Sequence, residues 1–419
     1  MGEAGEGLLV IRELDLNKDT RSVEELERKC EVGGSSSGKM SLFTDLLGDP
    51  ICRIRNSPSF LMLVAEMGPG KEMVGVIRGC IKIVTCGKKL IRSNNGIANS
   101  SNEDSDSKLE PICTKFEPIC TKLAYILGLR VSPSHRRRGI GLKLVNQMEE
   151  WFTRNGAEYS YMATENDNKP SLNLFTKKCH YTKFRTPSIL VQPVFAHRVK
   201  THNRVTIIKL SPPDAEALYR SRFCTIEFFP QDIDGVVKNK LNLGTFLAVP
   251  TGFPWPGLAE FLSEPPESWA VLSAWNCKEV FTLEIKGASV ARRFAAKATR
   301  VVDRALPWLR IPSVPEVFRP FGLVFLYGLG GQGPRSGKMV EALCGHAHNM
   351  ARELDCGVVA TEVASQEPLR LAIPHWKTLS CAEDMWCIKR LVQDYSDGPI
   401  GDWTKSTPGL SIFVDPREF

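Results

Sequence analysis

Residues 135–144 read His135-Arg136-Arg137-Arg138-Gly139-Ile140-Gly141-Leu142-Lys143-Leu144, and they follow an apolar run, Leu123 to Val131 (LAYILGLRV), across a short loop that contains Pro133. The apolar run reads as a buried strand. Apolar residues at Leu142, Val145, Met148, Trp151 and Phe152 then mark one face of a helix that Gly156 ends. A strand that passes through a glycine-bearing loop into a helix N-terminus aims free backbone N–H groups and the positive end of the helix dipole at one spot. Gly139 and Gly141 let an anion approach the backbone closely, while Arg136, Arg137 and Arg138 add charge and directed donors. A pyrophosphate is the anion that suits this arrangement.

Upstream of the loop, Phe60 to Ala65 (FLMLVA) and Val74 to Thr85 (VGVIRGCIKIVT) are apolar and β-branched and are separated by Gly68, Pro69 and Gly70, which predicts an antiparallel pair. A helix is predicted from Ser22, with Glu25 completing a capping box. Residues 86–121 turn to Ser, Asn, Asp, Lys and Gly and carry EPICTK twice, at Glu110 to Lys115 and Glu117 to Lys122, so a disordered insertion is expected there. Downstream, Tyr159 to Ala163 reads as a strand leading to a short helix around Pro170 to Lys178.

The order β-α-β-β-β-α-β-α recurs in the second half. VTIIKL (Val205 to Leu210) opens it, FGLVFLYGLG (Phe321 to Gly330) takes the place of LAYILGLRV, GVVATEV that of YSYMATEN, and IPHWKTL that of KCHYTKF. The expectation is an α/β protein of two tandem domains, 1–192 and 203–392, each a mixed, mostly antiparallel sheet flanked by helices, followed by a tail over 393–419. A length of 419 residues agrees with two cores rather than one. The second copy of the loop, Gly328 to Lys338, keeps glycines and cations without the R-x-x-G-x-G spacing and includes Pro334, so it reads as a degenerate copy.

No run of about 18 apolar residues and no basic leader are present, which predicts an intracellular, unsecreted chain without a membrane partner. Thirteen cysteines without a framework read as reduced thiols. A net charge of +7 suits an anionic ligand but not dedicated nucleic-acid binding. No metal site is expected, because Cys344 and His348 share a helix face that His346 leaves. The Trp-rich stretch Phe253 to Trp275 fits either core or a cover over the groove between the copies.

The strand, the R-x-x-G-x-G loop and the helix resemble the acetyl-CoA signature of the GCN5-related N-acetyltransferase (GNAT) superfamily, as does NKPSLNLFTKKCHY (Asn168 to Tyr181) its later segment. GLRVSPSHRRRGIG, GVVATEVASQEPLR and WTKSTPGLSIFVDPREF extend the likeness to plant hookless-type acetyltransferases over nearly the whole chain. The resemblance implies that Arg136, Arg137, Arg138, Gly139, Ile140, Gly141 and Leu142 bind the pyrophosphate of acetyl-CoA. It also implies that Leu129, Arg130 and Val131 line the pantetheine arm, and that Asn168 sits near the thiol.

Where relatives carry a Glu and a Tyr, this chain has Ala163 and Phe175. Glu165 and Tyr181 are the candidate base and acid, with His135 and His180 nearby. The resemblance implies acetyl transfer to a primary amine, of a histone or another regulator, by a nuclear protein in ethylene- and auxin-dependent growth such as apical hook formation. Without nuclear entry the chain is cytoplasmic. A non-catalytic module that binds acyl-CoA or a protein partner, and a small-amine acetyltransferase, stand as alternatives.

Overall fold

The computed structural model describes residues 9–30, 40–91, 116–200, 203–381, 383–392 and 401–419. Fifteen strands are described: β1 (Leu9–Glu13), β2 (Ser41–Asp45), β3 (Ser59–Met67), β4 (Glu72–Ile91), β5 (Phe116–Val131), β6 (Tyr159–Glu165), β7 (Thr182–Arg185), β8 (Ser188–Pro193), β9 (Val205–Leu210), β10 (Asn242–Pro250), β11 (Trp269–Asn276), β12 (Thr282–Lys286), β13 (Gly322–Gln332), β14 (Cys356–Val363) and β15 (Asp384–Arg390). The α-helices are α1 (Leu16–Lys29), α2 (Ile140–Arg154), α3 (Lys169–Asn173), α4 (Pro212–Phe223), α5 (Ile233–Val237), α6 (Leu258–Ser263), α7 (Val290–Ala305) and α8 (Ser336–Glu353). Among these helices none is long and apolar enough to cross a membrane.

Two mixed, mostly antiparallel sheets organise the chain, in the orders β1-β3-β4-β5-β6-β15-β7 and β8-β14-β13-β11-β10-β9, and β2 pairs with β12 apart from them. In the first sheet, alternate residues face opposite sides. Ile77, Ile81, Ala124, Ile126 and Met162 pack against Leu144, Val145, Met148 and Phe152 of α2, whereas Val76, Cys80, Leu123, Tyr125 and Tyr161 join the larger core shared with the second half. The β3 to β4 hairpin and the α2 periodicity therefore form as the sequence predicts. Helix α1 starts earlier than Ser22, because Asp15 accepts the Asn17 N–H and caps it at Leu16.

Three expectations are corrected. Residues 86–91 and 116–121 are not a loop: β4 and β5 stay paired out to Ile91 and Phe116, past a register shift between Thr85 and Lys89. Thr121 there is buried and donates to Glu158 (2.9 Å). The first EPICTK copy lies outside the described residues, and the second is part of β5. IPHWKTL, set in the place of KCHYTKF, forms turns, whereas KCHYTKF runs into β7.

The third correction concerns the division at 192/203, which two strands cross. β8 leaves the first sheet at Thr186-Pro187 to pair with β14 of the second, and β15 returns from the second half to sit between β6 and β7. The two halves thus exchange a strand. The tail is buried as well: Trp403, Phe413, Val414, Asp415, Arg417 and Glu418 lie between the sheets, and the Phe419 ring stacks on Phe325 at 4.0 Å.

Candidate functional site

Strands β5 and β6 run parallel and pair only over Leu123–Ile126 with Tyr159–Met162. Beyond that point the β4–β5 register shifts between Arg78 and Val76, where Gly128 adopts φ +61°, a left-handed conformation that costs other residues energy. The bulge turns Leu129–Val131 away from Ala163–Glu165, and the two facing edges open into a V whose vertex carries the stacked rings of Tyr125 and Tyr161, 4.4 Å apart. Ser132 N–H donates to Val74 O (2.8 Å) on the β4 side. Donors alternate along a strand, so the N–H groups of Leu129 and Val131 point into the V. Arg130 instead turns toward α1 and lies 3.5 Å from Glu27.

At the head of the V stands the loop 135–141. His135 N–H is used by Ser132 O (2.9 Å) and Lys143 N–H by Gly139 O (3.0 Å). Between them, the backbone donors of Arg136 through Leu142 have no acceptor among the described residues. Gly139 holds the left-handed conformation (φ +80°) that starts α2, and a methyl group on Gly141 would meet Leu174 at 3.4 Å, Val131 at 3.7 Å and Leu129 at 4.0 Å. Gly141 therefore floors a cradle that a side chain would fill. Arg136, Arg137 and Arg138 are exposed around it.

In the second sheet, Gly328 repeats the φ of Gly128 (+61°) and β13 parts from β14 in the same way. Its loop differs. Arg335 N–H is taken by Ser268 Oγ (3.1 Å) and Ser336 N–H by Gly333 O (3.2 Å). A Cβ on Gly330 would lie 2.4 Å from the Phe223 ring. The second V keeps the strand geometry, but two of its loop donors are spent within the protein and Phe223 packs directly on Gly330.

An acetyltransferase (GNAT) family model matches residues 21–181. Over 98% of its length the chain is 65% identical to "Probable N-acetyltransferase HLS1-like" of Arabidopsis thaliana, covering 99% of that protein. It is 38% identical to "Acetyl transferase GW6a" of Oryza sativa subsp. japonica over 98% of each chain. The chain belongs to the GNAT acetyltransferase family. Saccharomyces cerevisiae N-myristoyltransferase, solved with bound myristoyl-CoA, shares the fold at a TM-score of 0.50 and 10% identity, over 93% of this chain and 80% of that one.

A GNAT protein is an N-acetyltransferase that uses an acyl-CoA, and this cleft fits one. The run of unpaired donors from Arg136 to Leu142 suits a pyrophosphate, and the Gly141 cradle leaves the width that a thin acyl-carrying arm needs.

The catalytic candidates separate in the fold. Glu165 ends β6 at the mouth of the V, and partial burial together with the Asp167 charge holds its carboxyl above the ordinary range. Tyr181 lies in the apolar core under α2, where its hydroxyl donates to Ser160 Oγ (2.8 Å) and its ring meets Phe175 edge-on at 5.2 Å. Burial pushes its phenol well above its usual pKa. Such a group is poorly placed to hand a proton to a thiolate in the V. Asn168 caps α3 by accepting the Ser171 N–H (3.3 Å), His135 bonds Ser134 (3.0 Å), and His180 is exposed beyond the short helix. Among the described residues no group of His, Cys, Asp and Glu side chains is gathered to hold a metal. Buried His348 accepts the Phe195 N–H (2.8 Å).

What the sequence reading missed is acidic and comes from the second half. Asp384 stands directly opposite Glu165 across β6 and β15. Glu362 of β14 accepts Trp386 Nε1–H (3.0 Å) on the same side. Burial, then the charge of Asp384, raises Glu362 well above the carboxylate range. Burial, opposed by bonds from Met385 and Trp386 and reinforced by Glu165, raises Asp384 to about 6.

A carboxyl whose folded pKa lies above its unfolded value adds stability below the unfolded pKa and loses it as pH rises through the folded one. Asp384→Asn is therefore expected to be more stable than the parent at pH 7.5, by about 3 kcal/mol at 1.36 kcal/mol per pKa unit. The gain should vanish by about pH 4. Thermal melts across pH read this directly, and equal melting temperatures at pH 7.5 would show that Asp384 ionises without penalty.

Proposed function

We propose that the N-terminal cleft transfers acetyl from acetyl-CoA to a primary amine of a protein acceptor such as a histone. The observation that carries this reading is the run of backbone donors from Arg136 to Leu142, without an acceptor among the described residues, at the head of the β5–β6 V. When bound, acetyl-CoA supplies an activated thioester. Arg136, Arg137 and Arg138 with the loop backbone hold its pyrophosphate, Gly139 and Gly141 let it approach, and Ile140 and Leu142 begin the helix whose dipole favours it. Leu129 and Val131 line the arm and their inward N–H groups hold the carbonyl oxygen, a role worth several kcal/mol of barrier, while Arg130, turned to Glu27, supplies only main chain there. Asn168 stands beyond β6, on the thiol side of the mouth.

An amine is protonated at neutral pH and must lose a proton before it attacks. Glu165, with its raised pKa and its place at the mouth, takes that proton, and Asp384 opposite adds negative charge that draws the ammonium in. Tyr181 has no part in this scheme. The likeness to hookless-type proteins supports a nuclear site of action in ethylene- and auxin-dependent growth.

Calorimetric titration with acetyl-CoA, followed by thiol release with histone-tail peptides and polyamines, tests the reading. Acceptor-dependent release is expected, and Glu165→Gln is expected to lower kcat about 100-fold with acetyl-CoA affinity unchanged. Release only with polyamines would make the acceptor a small amine. Binding without turnover would favour a non-catalytic acyl-CoA module, the second reading, which the Phe175 ring in place of a proton donor supports.

A further inference from the structure

Helix α7 and the turn after it present an apolar face that nothing among the described residues covers. The inner side of the helix is fixed: Ala296 and Asp303 are buried, Asp303 accepts from Ala196 N–H (2.8 Å) and His197 Nδ1 (2.6 Å), and Arg300 donates to Val194 O (2.6 Å). With that side tied down, Val290, Phe294 and Val301 follow one another at i, i+4 and i+11 along the outer side, and Trp308 and Leu309 extend the stripe. Phe294 is 73% and Trp308 70% exposed, far from the burial that aromatic rings of this size normally reach.

The charge around this stripe is one-signed. Arg293, Lys297 and Arg304 fall at i, i+4 and i+11 along one edge of it, and Asp303, the only acid between residues 287 and 312, points inward and is bonded. Phosphate backbones would not draw an apolar stripe, so a nucleic acid is a poor match. The residues between the bulky ones are Ala291, Ala295 and Ala298, which give little depth for entering lipid but let a second helix approach closely.

We propose that the outer face of α7, with Trp308 and Leu309, docks an acidic amphipathic helix of a partner protein, its apolar side on Phe294 and Val301 and its carboxylates along Lys297 and Arg304. Partner recruitment on this face would be separate from the cleft, because α7 belongs to the insertion between β12 and β13 and not to either V.

The test uses the full chain and two fluorescein-labelled helical peptides with the same leucine face, one edged with glutamates and one with lysines, read by fluorescence anisotropy. The glutamate peptide is expected to bind and the lysine peptide not to. Phe294→Asp with Val301→Asp should weaken binding more than 10-fold. Lys297→Glu with Arg304→Glu, both exposed and outside any core, should exchange the preference so that the lysine peptide binds, and circular dichroism checks that each variant is folded. Failure of the preference to exchange overturns the proposal, as does absence of binding by either peptide. Binding to vesicles of phosphatidylserine and phosphatidylcholine that Phe294→Asp removes, without peptide binding, would assign the face to lipid instead. A sedimentation shift from dimer to monomer in that variant would assign it to a second copy of this chain.

Discussion

Gly139→Asp combined with Gly141→Asp is expected to remove acetyl-CoA binding from calorimetric titration, a loss of about 100-fold or more, or roughly 2.7 kcal/mol. The two changes act differently. Around Gly139 a new Cβ meets nothing within 4 Å, so the aspartate fits; its backbone stays left-handed at φ +80°, a conformation Asp tolerates better than most residues, and its charge sits where the helix dipole and three arginines favour an anion. At Gly141 the side chain grows toward Leu174, Val131 and Leu129 and fills the cradle. The Gly141 substitution places its carboxylate against Leu174, Val131 and Leu129, which pack on the α2 core, so a melting curve accompanies the titration to show that the variant is folded. Gly139→Ala separates the contributions: it keeps the left-handed strain and adds no charge, and it should retain most of the affinity. Undiminished binding by the double aspartate variant would place the acyl-CoA elsewhere and remove the support for the proposed cleft.

The loop was legible because all of its determinants are local. A strand, two glycines and an amphipathic helix within about 30 residues state the geometry in their own order. The β3–β4 hairpin was legible for the same reason. The exchange of β8 and β15 was not, since DMWCIKR is apolar from Met385 to Ile388 as any fully buried strand is, and nothing in it says which sheet it joins.

The carboxylates at the mouth of the V were hidden by that exchange. Glu165 becomes the neighbour of Asp384 only once β15 enters the first sheet. Tyr181 was misleading because a tyrosine near the short helix looks available in sequence, whereas the fold turns it under α2. The extension of β4 and β5 past residue 85 was obscured by polar composition, yet a two-stranded ribbon needs only paired backbones and a few buried side chains such as Thr121 and Cys86. In α7 the pattern VARRFAAKATRVVDRA was equally readable as a buried amphipathic helix, and only the three-dimensional arrangement shows that its apolar side faces out.

Lys82→Met is expected to destabilise the protein by about 3 to 5 kcal/mol, the range for breaking a buried ion pair by removing one partner. Lys82 Nζ lies 2.6 Å from Glu418 and 3.3 Å from Asp415, all three buried where the tail passes between the sheets. Asp415 keeps Arg417 (2.7 Å), which in turn holds Asp232 (2.6 Å). Among the described residues Glu418 keeps the Tyr161 hydroxyl (2.6 Å) and the weak Cys80 thiol. In the variant it is the orphan charge, so adding Glu418→Gln to Lys82→Met should restore stability relative to the single change, and denaturant unfolding of the four members of this cycle measures the coupling.

Burial already raises the Glu418 carboxyl against the pull of Lys82. Loss of the lysine raises it further, and a carboxyl of raised folded pKa regains stability as pH falls, so the defect of Lys82→Met should shrink on acidification. A defect below about 1 kcal/mol, of the size expected for an exposed pair, would mean that water reaches the junction. Glu418 also holds Tyr161, whose ring forms the vertex of the V with Tyr125, and Arg53 bonds the carbonyls of Glu418 and Phe419 (both 3.2 Å). The tail therefore links the second half to the floor of the cleft, and Lys82→Met should weaken acetyl-CoA binding in proportion to the loosening of that vertex, even though residue 82 lies on the opposite side of the sheet from α2 and its loop.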